Sequence, residues 1–264
     1  MKRWKFPLRG IQNLFCKGYL SAVILTLIGF YGVAIQPLQA EAQVALDPDE
    51  IGEGEKLFNE KCANCHPVNG SPVRSFAERK EPNMLALRGV GSKFQPDWLA
   101  AWLQNPTRIR PAGTMYLNHI KEGEKFDVVD ESTLEPHLSV SAEEAKTLTG
   151  YLLNLTNAQI KESGIDPNKK VPRSQLSKGR NLFEQKKACY GCHQVKTRDG
   201  RIVGGMSGPV LYNVGDRLRP NFLYAYLRDP QAFDPIVWMP KEVSDQRDAK
   251  LLTQYLLTFK EKKK

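Results

Sequence analysis

One five-residue arrangement occurs twice in this chain, as Cys62-Ala-Asn-Cys65-His66 and as Cys189-Tyr-Gly-Cys192-His193. On a helical turn, residues three and four apart share a face, so two thiols and an imidazole converge on one side. Disulfides, zinc or thiol exchange could each account for paired cysteines. None of them accounts for a histidine directly after both pairs in a chain with only 4 histidines. C-x-x-C-H is the spacing of c-type haem attachment, in which two thioether bonds hold the haem edge and the imidazole reaches the iron. The spacing therefore predicts two covalently bound haem c groups. Cys62, Cys65, Cys189 and Cys192 are the thioether positions, and His66 and His193 are the proximal axial ligands.

The two motifs head two copies of one longer pattern. Cys62, Cys65, His66 and Pro82 recur 127 positions later as Cys189, Cys192, His193 and Pro209. Beyond a three-residue slip the offset is 124. There Gly91, Pro96, Leu99, Leu103, Pro106, Pro111 and Met115 match Gly215, Pro220, Leu223, Leu227, Pro230, Pro235 and Met239. Ala145-Lys146 and Tyr151-Leu152-Leu153 then match Ala249-Lys250 and Tyr255-Leu256-Leu257, and upstream Gly54 and Phe58 match Gly179 and Phe183. A duplicated haem module is the economical explanation. The copies span 43–160 and 176–264, joined by a polar Gly/Pro-containing linker over 161–175. The first copy carries an insertion at about 116–140 that contains His119 and His137.

Helix signals dominate both copies. Asp47-Pro48 with Glu50 opens a helix towards Cys62. Pro96–Asn105 and Pro220–Asp229 are bounded by proline at both ends. Ser141 with Glu144 caps a helix through Leu155, and Ser244 is expected to cap its counterpart through Thr258. The arrangement resembles the class I cytochrome c family. That family has an N-terminal helix with Gly and an aromatic four apart, C-x-x-C-H, a proline on the proximal side, a methionine loop and a C-terminal helix with an aromatic. The resemblance covers nearly everything from Asp47 to Lys260. It implies an all-α chain of two tandem cytochrome c-like helical domains, as in di-haem cytochromes of bacterial respiratory chains.

For the sixth iron ligand the repeat discriminates among Met84, Met115, Met206, Met239, His119 and His137. Met84 aligns with Leu211 and reads as a core position, whereas Met206 aligns with Arg79 and has no counterpart. Met115 and Met239 align with each other, in Pro111-Ala-Gly-Thr-Met115 and Trp238-Met239-Pro240, and are the candidate axial pair. Tyr116, in place of proline, follows Met115, so His119 stands as the alternative ligand. Otherwise His119 and His137 read as surface residues of the insertion. A thioether favours ferrous iron and raises the potential relative to bis-histidine ligation. With both axial positions filled, electron transfer is expected and catalysis is not.

The 17 uncharged residues Tyr19–Ile35 follow five basic residues, the pattern of a signal peptide or signal anchor over 1–42. The chain is expected to be exported, to a periplasm or an equivalent compartment, either soluble or tethered by residues 19–35. Its formal charge of +9 is unevenly spread, at +4 over 1–42, −5 over 43–160 and +10 over 161–264. Nothing beyond the total suggests nucleic-acid binding. The expected function is single-electron transfer between redox proteins, with the acidic and basic copies facing different partners. Two alternatives remain: an anchored subunit of a quinol:cytochrome c reductase type of respiratory complex, or a di-haem peroxidase.

Overall fold

The computed structural model describes residues 48–68, 74–75 and 86–261. The expected export segment, Pro82 and Met84 lie outside the described residues. Among those described, no helix is long and apolar enough to cross a membrane.

Local sequence chemistry sets most of the helix ends. Helix α1 (Pro48–Lys61) begins on proline, with Asp49 and Glu50 in its first turn where the helix dipole favours acids. Helices α2 (Pro96–Gln104) and α6 (Pro220–Arg228) also begin on proline, and Asn105 and Asp229 end them one residue before the next proline. Ser141 and Glu144 form a reciprocal capping box at the head of α3 (Ala142–Asn154). Helix α4 (Arg173–Asn181) runs on into a π-turn, Leu182–Lys186, and α5 (Val214–Arg217) is a single turn.

Helix α7 (Gln246–Leu256) departs from expectation. Its N-cap is Asp245, whose carboxylate accepts the Asp248 N–H, in place of Ser244. Two short antiparallel ladders also qualify the all-α expectation. They are β1 (Ile120–Lys121) with β2 (Val128–Val129), inside the insertion, and β3 (Val195–Lys196) with β4 (Ile202–Val203). The polar linker is more tightly held than its composition suggests. Ser163 is buried, and its N–H and hydroxyl both donate to Asn221 Oδ1, at 2.9 and 2.6 Å.

Two hydrophobic cores form, each where an early helix crosses a late one. Phe58, Leu99, Leu103, Leu148 and Leu152 centre the first; Phe183, Leu223, Leu227, Leu252 and Leu256 centre the second. In the first crossing a Cβ on Gly54 would lie 2.6 Å from Tyr151 Cβ and 2.7 Å from Thr147 O. In the second, a Cβ on Gly179 would lie 2.7 Å from Tyr255 Cβ and 2.5 Å from Leu251 O. Only glycine lets the helices approach so closely. One turn along each helix, Phe58 packs on Tyr151 and Phe183 on Tyr255, with ring centres 5.4 and 5.9 Å apart. A second glycine contact repeats as well: Gly91 N–H donates to Leu155 O and Gly215 N–H to Phe259 O, at 3.0 and 2.9 Å.

The two cores meet through corresponding segments. Phe94 and Leu218, which are 124 positions apart, form an antiparallel bridge. Gln95 N–H donates to Arg217 O (2.9 Å), and Arg219 N–H donates to Lys93 O (2.9 Å). Exchanging each residue for its repeat counterpart turns one of these bonds into the other. The contact is therefore self-complementary about a local two-fold axis.

Substitutions at two glycines of α1 separate packing from propensity. Gly54→Ala should lower unfolding free energy by about 1–3 kcal/mol through overpacking. Gly52→Ala, where nothing lies within 4 Å, should raise it by up to about 1 kcal/mol. Denaturant unfolding of both variants checks the contrast.

The capping box gives a pH-dependent test. Lys61 and the Ser141 N–H hold Glu144 down at about 2, against its ordinary 4.5. Its stabilising effect is therefore full above about pH 4.5 and fades as the pH falls towards 2. The melting-temperature gap between the wild type and Glu144→Gln should close over that window.

Candidate functional site

Each C-x-x-C-H segment is wound into a single tight turn by its own backbone. Phe58 O accepts the N–H groups of Cys62 and Ala63, at 2.8 and 3.0 Å. Cys62 O then accepts from Cys65 (3.1 Å) and His66 (2.9 Å). In the second segment Ala188 adopts a left-handed conformation, with φ of 45°, and breaks the chain away from the π-turn. Cys189 O then accepts from Cys192 (3.2 Å) and His193 (3.1 Å). The same pair of bonds thus sets both motifs and brings each histidine back towards its first cysteine.

A glycine-rich loop closes over the second motif. Gly205 N–H donates to Tyr190 O and Gly208 N–H to Cys192 O, both at 2.8 Å. A Cβ on Gly208 would lie 2.6 Å from His193 Cε1, so only glycine leaves the imidazole in place. His193 Nδ1 lies 2.7 Å from Pro209 O. A carbonyl can only accept, so Nδ1 carries the proton and Nε2 presents its lone pair, which is the ligating tautomer. Pro82, the counterpart of Pro209, lies outside the described residues.

The surrounding electrostatics fit an anionic, metal-bearing group. Burial pushes the Cys189 thiol up to about 11 and also raises that of Cys62. Such thiols are poor nucleophiles, which weighs against a thiol-exchange centre. Among the described residues, no three His, Cys, Asp or Glu side chains converge to hold a bare metal ion. Arg217 is only 2 % exposed, is held by Asn213 Oδ1 and Val210 O, and is pushed down to about 10 by burial. Lys93 is pushed down to about 8 by burial and by the nearby charges of Arg110 and Arg217. Burial, Arg110 and Arg217 also hold His193 below the usual histidine range, against the pull of the Pro209 carbonyl. Asp234 is the acid that acts on Lys93 within this cationic group. Haem carries two propionate carboxylates, so a haem held by Cys189, Cys192 and His193 suits both the donor set and the charge.

The residues expected as sixth ligands fall in different settings. Met239 packs against the second core, and its carbonyl accepts from Gln231 Nε2 at 2.8 Å. Met115 is half-buried and heads the short turn Tyr116–Asn118, apart from the side chains packed on the first core. His119, expected on the surface, is buried under the insertion, with Nδ1 2.8 Å from Thr133 Oγ1. His137 is exposed as a residue, yet its ring lies 4.6 Å from the Trp102 ring and 5.9 Å from the His66 ring. The sequence reads His137 as a surface residue of the insertion and does not single out Gly208 or Arg217. The run Gly204-Gly205 and Gly208-Pro209 was the available hint of a loop closing tightly on the second motif.

Residues 51–156 match the family model described as Cytochrome c. This stretch takes in Cys62, Cys65, His66 and the crossing of α1 with α3, and is similar to a cytochrome c domain. Proteins of that family carry covalently attached haem c and pass electrons between redox partners. The match covers the first copy. No solved structure matches the chain.

Gly208→Ala should displace the His193 imidazole while leaving the first motif untouched. Whole-protein mass and the haem absorbance of the purified variant should then show one covalent haem fewer than in the wild type.

Proposed function

We propose that the protein is a di-haem c-type cytochrome, exported across the cytoplasmic membrane, that carries single electrons between redox proteins. The observation that carries this reading is the recurrence of the C-x-x-C-H turn. It appears twice with the same pair of backbone bonds, each time beside a glycine-mediated helix crossing and its own apolar core.

The residues divide the work simply. Cys62 and Cys65, and Cys189 and Cys192, supply the thioether bonds, and His66 and His193 ligate from the proximal side. A bound haem supplies the one-electron iron couple. The two cores keep water from it, and Pro209 O holds His193 in its ligating tautomer. Met239 is the sixth ligand of the second site. For the first site, counting forward from the shared prolines gives Met115, whereas the position of His137 gives a different answer. The local two-fold contact holds the two modules side by side in one compact body, an arrangement suited to a short internal relay. The acidic first module and the basic second one favour partners of opposite charge.

Expression in a host with the c-type maturation machinery tests the reading. The wild type should gain the mass of two haems; Cys62→Ser/Cys65→Ser and Cys189→Ser/Cys192→Ser should each gain one. The doubly loaded protein should be reduced and reoxidised by small redox proteins with one electron per haem, and should not turn over peroxide when half-reduced. A mature N-terminus near Glu41–Gln43 would favour a cleaved signal over the anchored respiratory-complex subunit. A single haem in the wild type, or rapid peroxide turnover, would overturn the proposal.

A further inference from the structure

The first module's distal side departs from the second's: register points to the stretch Glu135–His137, and a ring contact singles out His137 within it. Between the late helices the repeat offset is 104, pairing Ala145 with Ala249 and Tyr151 with Tyr255. The structure supports that pairing, because Tyr151 meets Gly54 just as Tyr255 meets Gly179. Counted back at this offset, Met239-Pro240 falls on Glu135-Pro136, with His137 next in the chain. Met115 corresponds to Met239 only when the count runs forward from the prolines that precede the insertion. The insertion can therefore lie on either side of the ligand position, and the sequence alone does not say which.

The His137 and His66 ring centres are 5.9 Å apart, with the planes inclined at 35°. Two imidazoles on opposite sides of one metal ion, each with a metal–nitrogen bond of about 2 Å, place their ring centres about 6 Å apart. His137 Nδ1 lies 2.8 Å from Leu138 O, so Nδ1 carries the proton and Nε2 keeps its lone pair, the same ligating tautomer as His193. Trp102 packs on the ring and limits its orientation. His119 Nδ1 is bonded to Thr133 Oγ1, whose hydroxyl donates to Asp130 O, so His119 also keeps its Nε2 lone pair; Met115 is half-buried at the head of the turn Tyr116–Asn118. The contact with the His66 ring is what singles out His137.

We propose that His66 and His137 are the axial pair of the first iron, while His193 and Met239 ligate the second. The proposal rests on the di-haem reading above and deepens it. Thioether ligation raises a haem's potential relative to bis-imidazole ligation. The first module therefore holds the lower potential. An electron entering there runs downhill to the second module, oxidising the first iron and reducing the second.

The test uses the full chain with both haems attached, counted by mass before any spectrum is read. The ferric wild type should show one haem with the weak far-red band of methionine ligation and one low-spin haem without it, and two separated midpoints. His137→Met should add a second far-red band and raise the lower midpoint, and His137→Ala should render one haem high-spin. Met115→Leu and His119→Gln should leave both spectra and both midpoints as they were. Two far-red bands in the wild type, one of them lost in Met115→Leu, would overturn the assignment of His137 while leaving the di-haem reading intact. A loss of low-spin character in His119→Gln would do the same. A wild type that carries no haem on Cys62 and Cys65 would overturn both.

Discussion

The close approach of an early and a late helix at a single glycine is the contact on which each half of this molecule depends. At Gly54 and at Gly179 there is no room for even one methyl group. The opposing positions are backbone carbonyls and the Cβ atoms of Tyr151 and Tyr255, none of which can swing away. Once the helices meet there, Phe58 and Phe183 are driven into the centre of their cores, where each is at most 2 % exposed. The C-x-x-C-H turn follows within a few residues of each phenylalanine, so the crossing also fixes where the thiols and the imidazole emerge. A packing constraint at a glycine thus becomes a positional constraint on a ligand.

Charge is distributed on a different logic. The acidic and basic surfaces separate along the chain, yet three cations, Lys93, Arg110 and Arg217, act on one another close to the junction of the two cores. Gathering like charges around a buried Arg217 is costly unless anions compensate them, and Asp234 supplies part of that compensation. Arg217 offsets part of the cost by bonding Asn213 and Val210 and by lying 5.9 Å over the Trp98 ring. Such a cationic group suits carboxylates delivered by a bound molecule.

What could be read from the sequence is what depends on near neighbours. The proline-bounded helices α2 and α6, the Ser141–Glu144 box and the two C-x-x-C-H turns are all set by residues within a few positions of one another. The two-residue ladders escaped because they are too short to carry an alternation. Asp245 displaced Ser244 as a cap because adjacent acceptors compete for the same N–H groups, and only the local backbone path decides between them. The role of Gly208 is defined by an imidazole 15 positions away, and that of His137 by one 71 positions away. His137 was further concealed by the insertion, which allows the repeat to be counted in two registers.

The self-paired stretch at Lys93–Gln95 and Arg217–Arg219 carries a consequence for polarity. A contact of this kind is what two identical subunits make when they associate, and such a pair has indistinguishable poles. Joining the partners in one chain keeps the contact and removes the identity. Each pole can then change alone, as the opposite surface charges of the two copies illustrate. The symmetric seam is the part that stayed shared, and a difference between its two sides is something a dimer of equals cannot possess.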